Sequence, residues 1–208
     1  RIDIDLNNLR QDYALRFVES HEGCSFEEFK FDLMREVAIE TSIAEADFDA
    51  MKPKQIIDSI VEDLTNHFMR KAKAIADMVR PTMEKFYKEH ENHMDMRIAF
   101  PITDGRLRYS IPVELQKCKE SDCAEIYRVF AKVAMFTTID DAWREHLREM
   151  DDLRQSVQNA SYEQKDPLLI YKFESFGLFE KMLQGINRDV VAMLCKAYVP
   201  VSQKSKDE

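Results

Sequence analysis

The chain has 208 residues, 45% of them hydrophobic, with only 4 glycines and 6 prolines and a net charge of −9. That balance fits a mainly helical protein with a core of its own. It excludes the basic patch that nucleic-acid binding requires and disfavours binding to anionic lipid. No apolar run approaches the ~20 residues needed to cross a bilayer, and no signal peptide is legible. The chain begins at Arg1 without a methionine, as expected of a piece of a longer protein.

Leu6, Leu9, Tyr13 and Phe17 predict a first helix ending near Gly23. Ser25 stands three residues before Glu28, a capping-box signal, and Phe26, Phe29, Leu33 and Val37 follow at helical spacing. A turn of helix around Phe48 and Met51 leads to Pro53, which opens a longer helix through Ile57, Ile60, Leu64, Phe68, Ile75 and Met78. Pro81 is expected to kink or restart it, with the pattern resuming to about His93. A β-hairpin is expected over about residues 97–113. Asp104-Gly105 forms its tight turn, Phe100 falls opposite Tyr109, and Ile102 opposite Leu107. Its apolar face must pack on helices, and Pro101 and Pro112 lie on the other face.

Two long helices follow, Cys123 to Val157 and Pro167 to Tyr198, joined by a polar loop over 158–166 that contains Tyr162. Asp122 with Glu125 predicts the cap of the first, and Asp166-Pro167 the start of the second. Ile126, Val129, Val133, Phe136, Ile139, Trp143, Leu147, Met150, Leu153 and Val157 recur along the first helix. Leu169, Phe173, Phe176, Phe179, Leu183, Ile186, Val190 and Met193 recur along the second. The interval of ~3.4–3.5 residues is that of helices wrapped around each other. The expected result is an antiparallel pin on the order of 45–50 Å long. Residues 202–208 read as a frayed polar tail.

Trp143-Arg-Glu-His146-Leu147-Arg-Glu-Met150-Asp151-Asp-Leu153-Arg154 resembles the Trp-x-x-His-Leu-x-x-Met-Asp-x-Leu-Arg run of SecA, the ATP-driven motor of bacterial preprotein translocation. Tyr162-Glu-Gln164-Lys165-Asp166-Pro167, then Tyr171, Glu174, Phe176, Phe179 and Met182, continue the pattern in order and spacing. Residues 158–161 depart from the Leu-Arg-Gly-type sequence of many members. The resemblance implies a mainly α fold: a helical wing domain with one β-hairpin, then a long two-helix finger of the helical scaffold domain. The wing, with the end of a scaffold helix, would occupy residues 1–120, the finger 121–200 and the tail 201–208. It further implies that Tyr162, Gln164 and Lys165 contact unfolded preprotein at the mouth of the SecY channel. Trp143, His146, Leu147, Met150, Leu153, Phe176 and Phe179 would pack the finger and scaffold. By the same resemblance the parent is cytoplasmic, peripheral at the inner face of the plasma membrane, and its remaining domains are partners.

Tyr162 carries the sharpest expectation by its own chemistry. A tyrosine in a polar loop has no local core to join, and its ring and hydroxyl can grip varied chain segments; folding back onto the helix ends is the alternative. No Gly-x-x-x-x-Gly-Lys-Ser/Thr loop occurs, so ATP and Mg belong to the parent by resemblance, with no cofactor and no activity expected of this chain alone. His90 and His93 beside Glu91 lack a third ligand, and Cys118 and Cys123 lack a second pair, so neither reads as a metal site. Cys24, Cys118, Cys123 and Cys195 read as free thiols of a reducing cytosol. The alternative to a motor fragment is a free-standing helical protein–protein interaction module, its apolar seam serving dimers or a partner.

Overall fold

A computed structural model describes residues 2–160 and 166–200, leaving aside the side chains at 2–4 and 158–160. In order these residues form α1 (Ile2–Ser20), α2 (Phe26–Val37), α3 (Glu45–Phe48), α4 (Pro53–Glu89), a single 3-10 turn (Glu91–His93), β1 (Arg97–Thr103), β2 (Arg108–Glu114), α5 (Leu115–Glu120), α6 (Ala124–Ala160) and α7 (Pro167–Lys196). The chain is mainly α, with one antiparallel hairpin and a long helical pair, as expected. Among the described residues no helix is long and apolar enough to cross a membrane.

Local chemistry sets the ends. The Ser25 hydroxyl accepts from the Glu28 amide at 3.3 Å, as the capping signal predicts. Gln55 reaches back from the third position of α4 to accept from the Lys52 amide at 2.8 Å. Asp166 accepts from the Leu168 amide at 2.9 Å, with Pro167 at the first helical position. At Pro81 the expectation of a restart fails: α4 runs unbroken from Pro53 to Glu89. Proline removes one amide, and Ile75, Ala76, Val79 and Met83, buried on either side of it, hold the helix together.

The start of α6 also differs from expectation. Asp122 is not its cap; the Ser121 hydroxyl accepts from the Glu125 amide at 3.0 Å. Asp122 lies at φ 51° and closes α5: its amide donates to Lys119 O, and the Cys123 amide donates to Cys118 O at 2.8 Å. This is a Schellman turn with aspartate where glycine is usual. Both carboxylate oxygens of Asp122 accept from Arg80, Nε and Nη2 each at 2.8 Å. That fork holds the left-handed residue in place.

The hairpin is present with a register two residues away from that expected. Phe100 pairs with Ile111 and Ile102 with Tyr109, because the loop is Asp104–Leu107 and not Asp104-Gly105 alone. Thr103 Oγ1 accepts from Gly105 N and donates to Leu107 O, while Asp104 Oδ1 accepts from the amides of Arg106 and Leu107. Two short polar side chains thus satisfy a four-residue loop. A shift of two keeps the strand side chains on their expected faces, so Phe100, Ile102, Ile111 and Val113 are buried while Pro101 and Pro112 face out; Leu107, expected on the apolar face, falls in the loop and is exposed. Beyond the loop, Thr103 and Tyr198 exchange backbone bonds of 2.9 and 2.8 Å. Two residue pairs further on, Pro101 would oppose Pro200, and neither has an N–H to donate.

A continuous core joins these elements. Phe29 meets Phe17 edge-on at 5.3 Å and Phe48 at 4.9 Å, tying α1, α2 and α3. Phe130 of α6 lies 5.7 Å from Tyr109 of β2. The last carbonyls of α7 have no helical partners and take side-chain donors: Tyr127 Oη to Leu194 O at 3.2 Å and His67 Nε2 to Cys195 O at 2.9 Å. Burial is the main reason that the His67 pKa falls below 6.5, outweighing the bond to Cys195 O. A histidine with a lowered folded value contributes fully above its unfolded value and loses that contribution as pH falls through 6.5. The urea midpoint is therefore expected to drop between about pH 7.5 and 5.5, and to drop less in His67→Gln.

Candidate functional site

α6 and α7 lie side by side, and only part of the apolar series that suggests a seam is buried: Ile126, Val157, Ile186 and Val190 are, whereas Phe136, Ile139, Trp143, Leu147, Leu169, Phe173 and Phe176 are exposed. Contacts between them run through Tyr127, Thr138, His146 and Glu149 on α6 and Leu194, Met193, Phe179 and Lys181 on α7. Ala131, Ala134, Thr138, Ala142 and His146 recur every three or four residues along this side, buried or half-buried. Small residues let the two backbones approach. At the root, Ile126, Phe130, Ile186, Val190 and Leu194 enter the common core.

His146 is 6% exposed, its ring 5.6 Å from Trp143 and 5.9 Å from Phe179 across the helix pair. Two histidines just beyond helix ends, His21 after α1 and His90 after α4, set Nδ1 against the carbonyl four residues back, at 2.7 and 3.0 Å. His146 does not, and its buried Nδ1 has no hydrogen-bond partner among the described residues. A bare lone pair there costs less than an unpaired N–H, which favours the tautomer with hydrogen on Nε2.

Along the outer side of the same pair runs an uncovered apolar face. Phe136 (72% exposed), Ile139, Trp143 and Leu147 of α6 and Leu169, Phe173 (71%), Phe176, Phe179 and Leu183 of α7 are all exposed. A scattered exposed leucine needs no account; a stripe of this size along two adjacent helices marks an interaction surface. Of the residues expected to pack finger and scaffold, Trp143, Leu147, Phe176 and Phe179 lie on or beside this face. Met150 and Leu153 are half-buried, and His146 is held between the helices. Tyr162, Gln164 and Lys165 lie outside the described residues.

His90 stacks on Phe86 at 4.1 Å, and His93 is exposed in the 3-10 turn. Among the described residues no group of three or more His, Cys, Asp or Glu could hold a metal ion. The Arg80–Asp122 fork went unnoticed in the sequence because its members are 42 residues apart.

The comparisons with known proteins agree with the pattern along α6 and α7. Residues 13–198 match the family described as SecA Wing and Scaffold domain. The protein translocase subunit SecA of Porphyromonas gingivalis (strain W83) is 41% identical over 209 residues, covering 100% of this chain and 19% of the relative. That of Bacteroides fragilis is 37% identical over 208 residues, covering 100% and 18%. That of Christiangramia forsetii is 35% identical over 201 residues, covering 96% and 18%. The chain thus spans less than a fifth of the length of the relatives it matches. From a match over almost its whole length, and from relatives aligned from end to end of it, the chain belongs to the SecA wing and scaffold family.

Proposed function

We propose that this chain is the wing-and-finger part of a protein-translocating motor, and that α6–α7 couples motion generated elsewhere in the longer protein to the polypeptide being moved. One observation carries the reading: a long helix pair, rooted in a packed core, presents a continuous uncovered apolar face along its length. A surface of that kind marks a site where something docks. The relatives are about five times longer, as the 18–19% coverage implies, which leaves the rest of a longer protein as the candidate occupant. The remaining domains of the longer protein would cover the face. The tip, with Tyr162, Gln164 and Lys165, would meet unfolded preprotein at the SecY channel, at the inner face of the plasma membrane. ATP and Mg would be bound upstream of this part.

The test is a cysteine placed at Tyr162 in the full-length motor, crosslinked during stalled translocation. Capture of substrate or channel supports the finger role, and capture of neither removes it. The free-standing interaction module is favoured by the same bare face. In this chain alone the face is expected to drive concentration-dependent self-association by light scattering. A strict monomer at high concentration would argue that the face is not sticky.

A further inference from the structure

We propose that Cys118 and Cys123 form a dithiol modification site that closes to an intramolecular disulfide on exposure to small-molecule disulfides. The inference rests on the corner between α5 and α6 and is independent of the role given to α6–α7. In a Schellman turn the third residue from the helix end and the second residue beyond the cap are brought side by side, commonly with their side chains in contact. Here those two positions are Cys118 and Cys123, joined by the Cys123 N to Cys118 O bond of 2.8 Å. A disulfide needs Cα atoms about 4.4–6.8 Å apart, and a backbone bond between the same two residues keeps them within that reach. The backbone of the turn thus holds the two Cα atoms within the reach that a disulfide needs.

Tyr87 Oη lies 3.7 Å from Cys123 Sγ; burial raises the Cys118 pKa, and a hydrogen bond from the Tyr87 hydroxyl offsets only part of that rise. The Lys119 ammonium lies over the Tyr87 ring, 5.9 Å from its centre. Access is the restraint, since Cys118 is fully buried and Cys123 nearly so. The turn that joins the pair has two left-handed residues, Asp122 (φ 51°) and Cys123 (φ 69°), that are not glycines. Side-chain-bearing residues are strained in that region. The two-point ion pair between Arg80 and Asp122 ties that turn to α4 at the surface.

The step balances without a metal. One cysteine thiolate attacks a sulfur of oxidised glutathione, releasing one glutathione thiolate and leaving a mixed disulfide. The second thiolate attacks the protein sulfur of that bond and displaces the second glutathione. Two protons leave the cysteines and two electrons pass to the small disulfide. Burial pushes the Cys118 thiol up to about 12, so thiolate is scarce at neutral pH and the reaction quickens as pH rises.

The test incubates the folded protein with oxidised glutathione at about pH 7 and pH 9, followed by peptide mapping under non-reducing conditions. The expected product is two hydrogens lighter than the reduced protein and linked Cys118 to Cys123. It forms faster at the higher pH, retains its helical signal and is reversed by dithiothreitol. Half-buried Cys24, which has no neighbouring thiol, takes up one glutathione and serves as the internal reference. The proposal is overturned if Cys24 is modified while Cys118 and Cys123 stay free. It is equally overturned if the pair closes only in urea that unfolds the helices.

Discussion

Truncating Phe130 to alanine is expected to lower the unfolding free energy by about 3–5 kcal/mol, the usual cost of emptying a large core site. Phe130 is fully buried, and its ring joins the hairpin to α6 through Tyr109. An isolated hairpin is marginal in water, so losing this contact loosens β1 and β2 along with the root of α6. Urea unfolding should show a lower midpoint with an unchanged slope. A loss below about 1 kcal/mol, the range of a surface change, would mean that hairpin and helix are not held through this ring.

The opposite behaviour is expected on the outer face. Phe173→Glu with Phe176→Glu places charge at two strongly exposed positions, where stability of the chain alone should change by no more than about 0.5 kcal/mol each. In the longer protein the same pair should weaken docking of the helices about 100-fold or more, since two buried aromatics contribute at least ~3 kcal/mol together and 1.4 kcal/mol is tenfold. Preprotein transport by the full-length motor is the readout. Equal transport by both forms would show that the face carries nothing in the assembled protein.

The contrast between Phe130 and Phe173 also explains what could be read from the chain. Helix positions and the hairpin were legible because Ser25, Asp166 and Pro167 act within one turn of their targets. The hairpin loop was not, since Thr103 and Asp104 together satisfy four residues where Asp-Gly suggests two. Asp122 misled because its partner, Arg80, comes from another helix. Most instructive is the periodic series along α6 and α7. Hydropathy marks what must leave water, not what covers it, so the strong stripe at Phe136, Trp143, Phe173 and Phe176 suggested the contact between the two helices. The contact itself also runs through Thr138, His146 and Glu149, which hydropathy barely registers, with only Phe179 and Met193 of the series seen to take part. A pair of helices that spends its largest side chains away from each other reads as part of a larger packing.

That packing is most directly tested by single cysteines at Leu147 and Phe176, on a background without the four native thiols, labelled with a maleimide. In the chain alone, at concentrations too low for self-association, both should react at the rate of an exposed thiol. In the full-length motor both should be protected by tenfold or more (~1.4 kcal/mol or greater), while a cysteine at the exposed Glu120 of α5 keeps its rate. Equal rates at Leu147 and Phe176 in the two proteins would contradict the account, because the face would then be as bare in the motor as it is here.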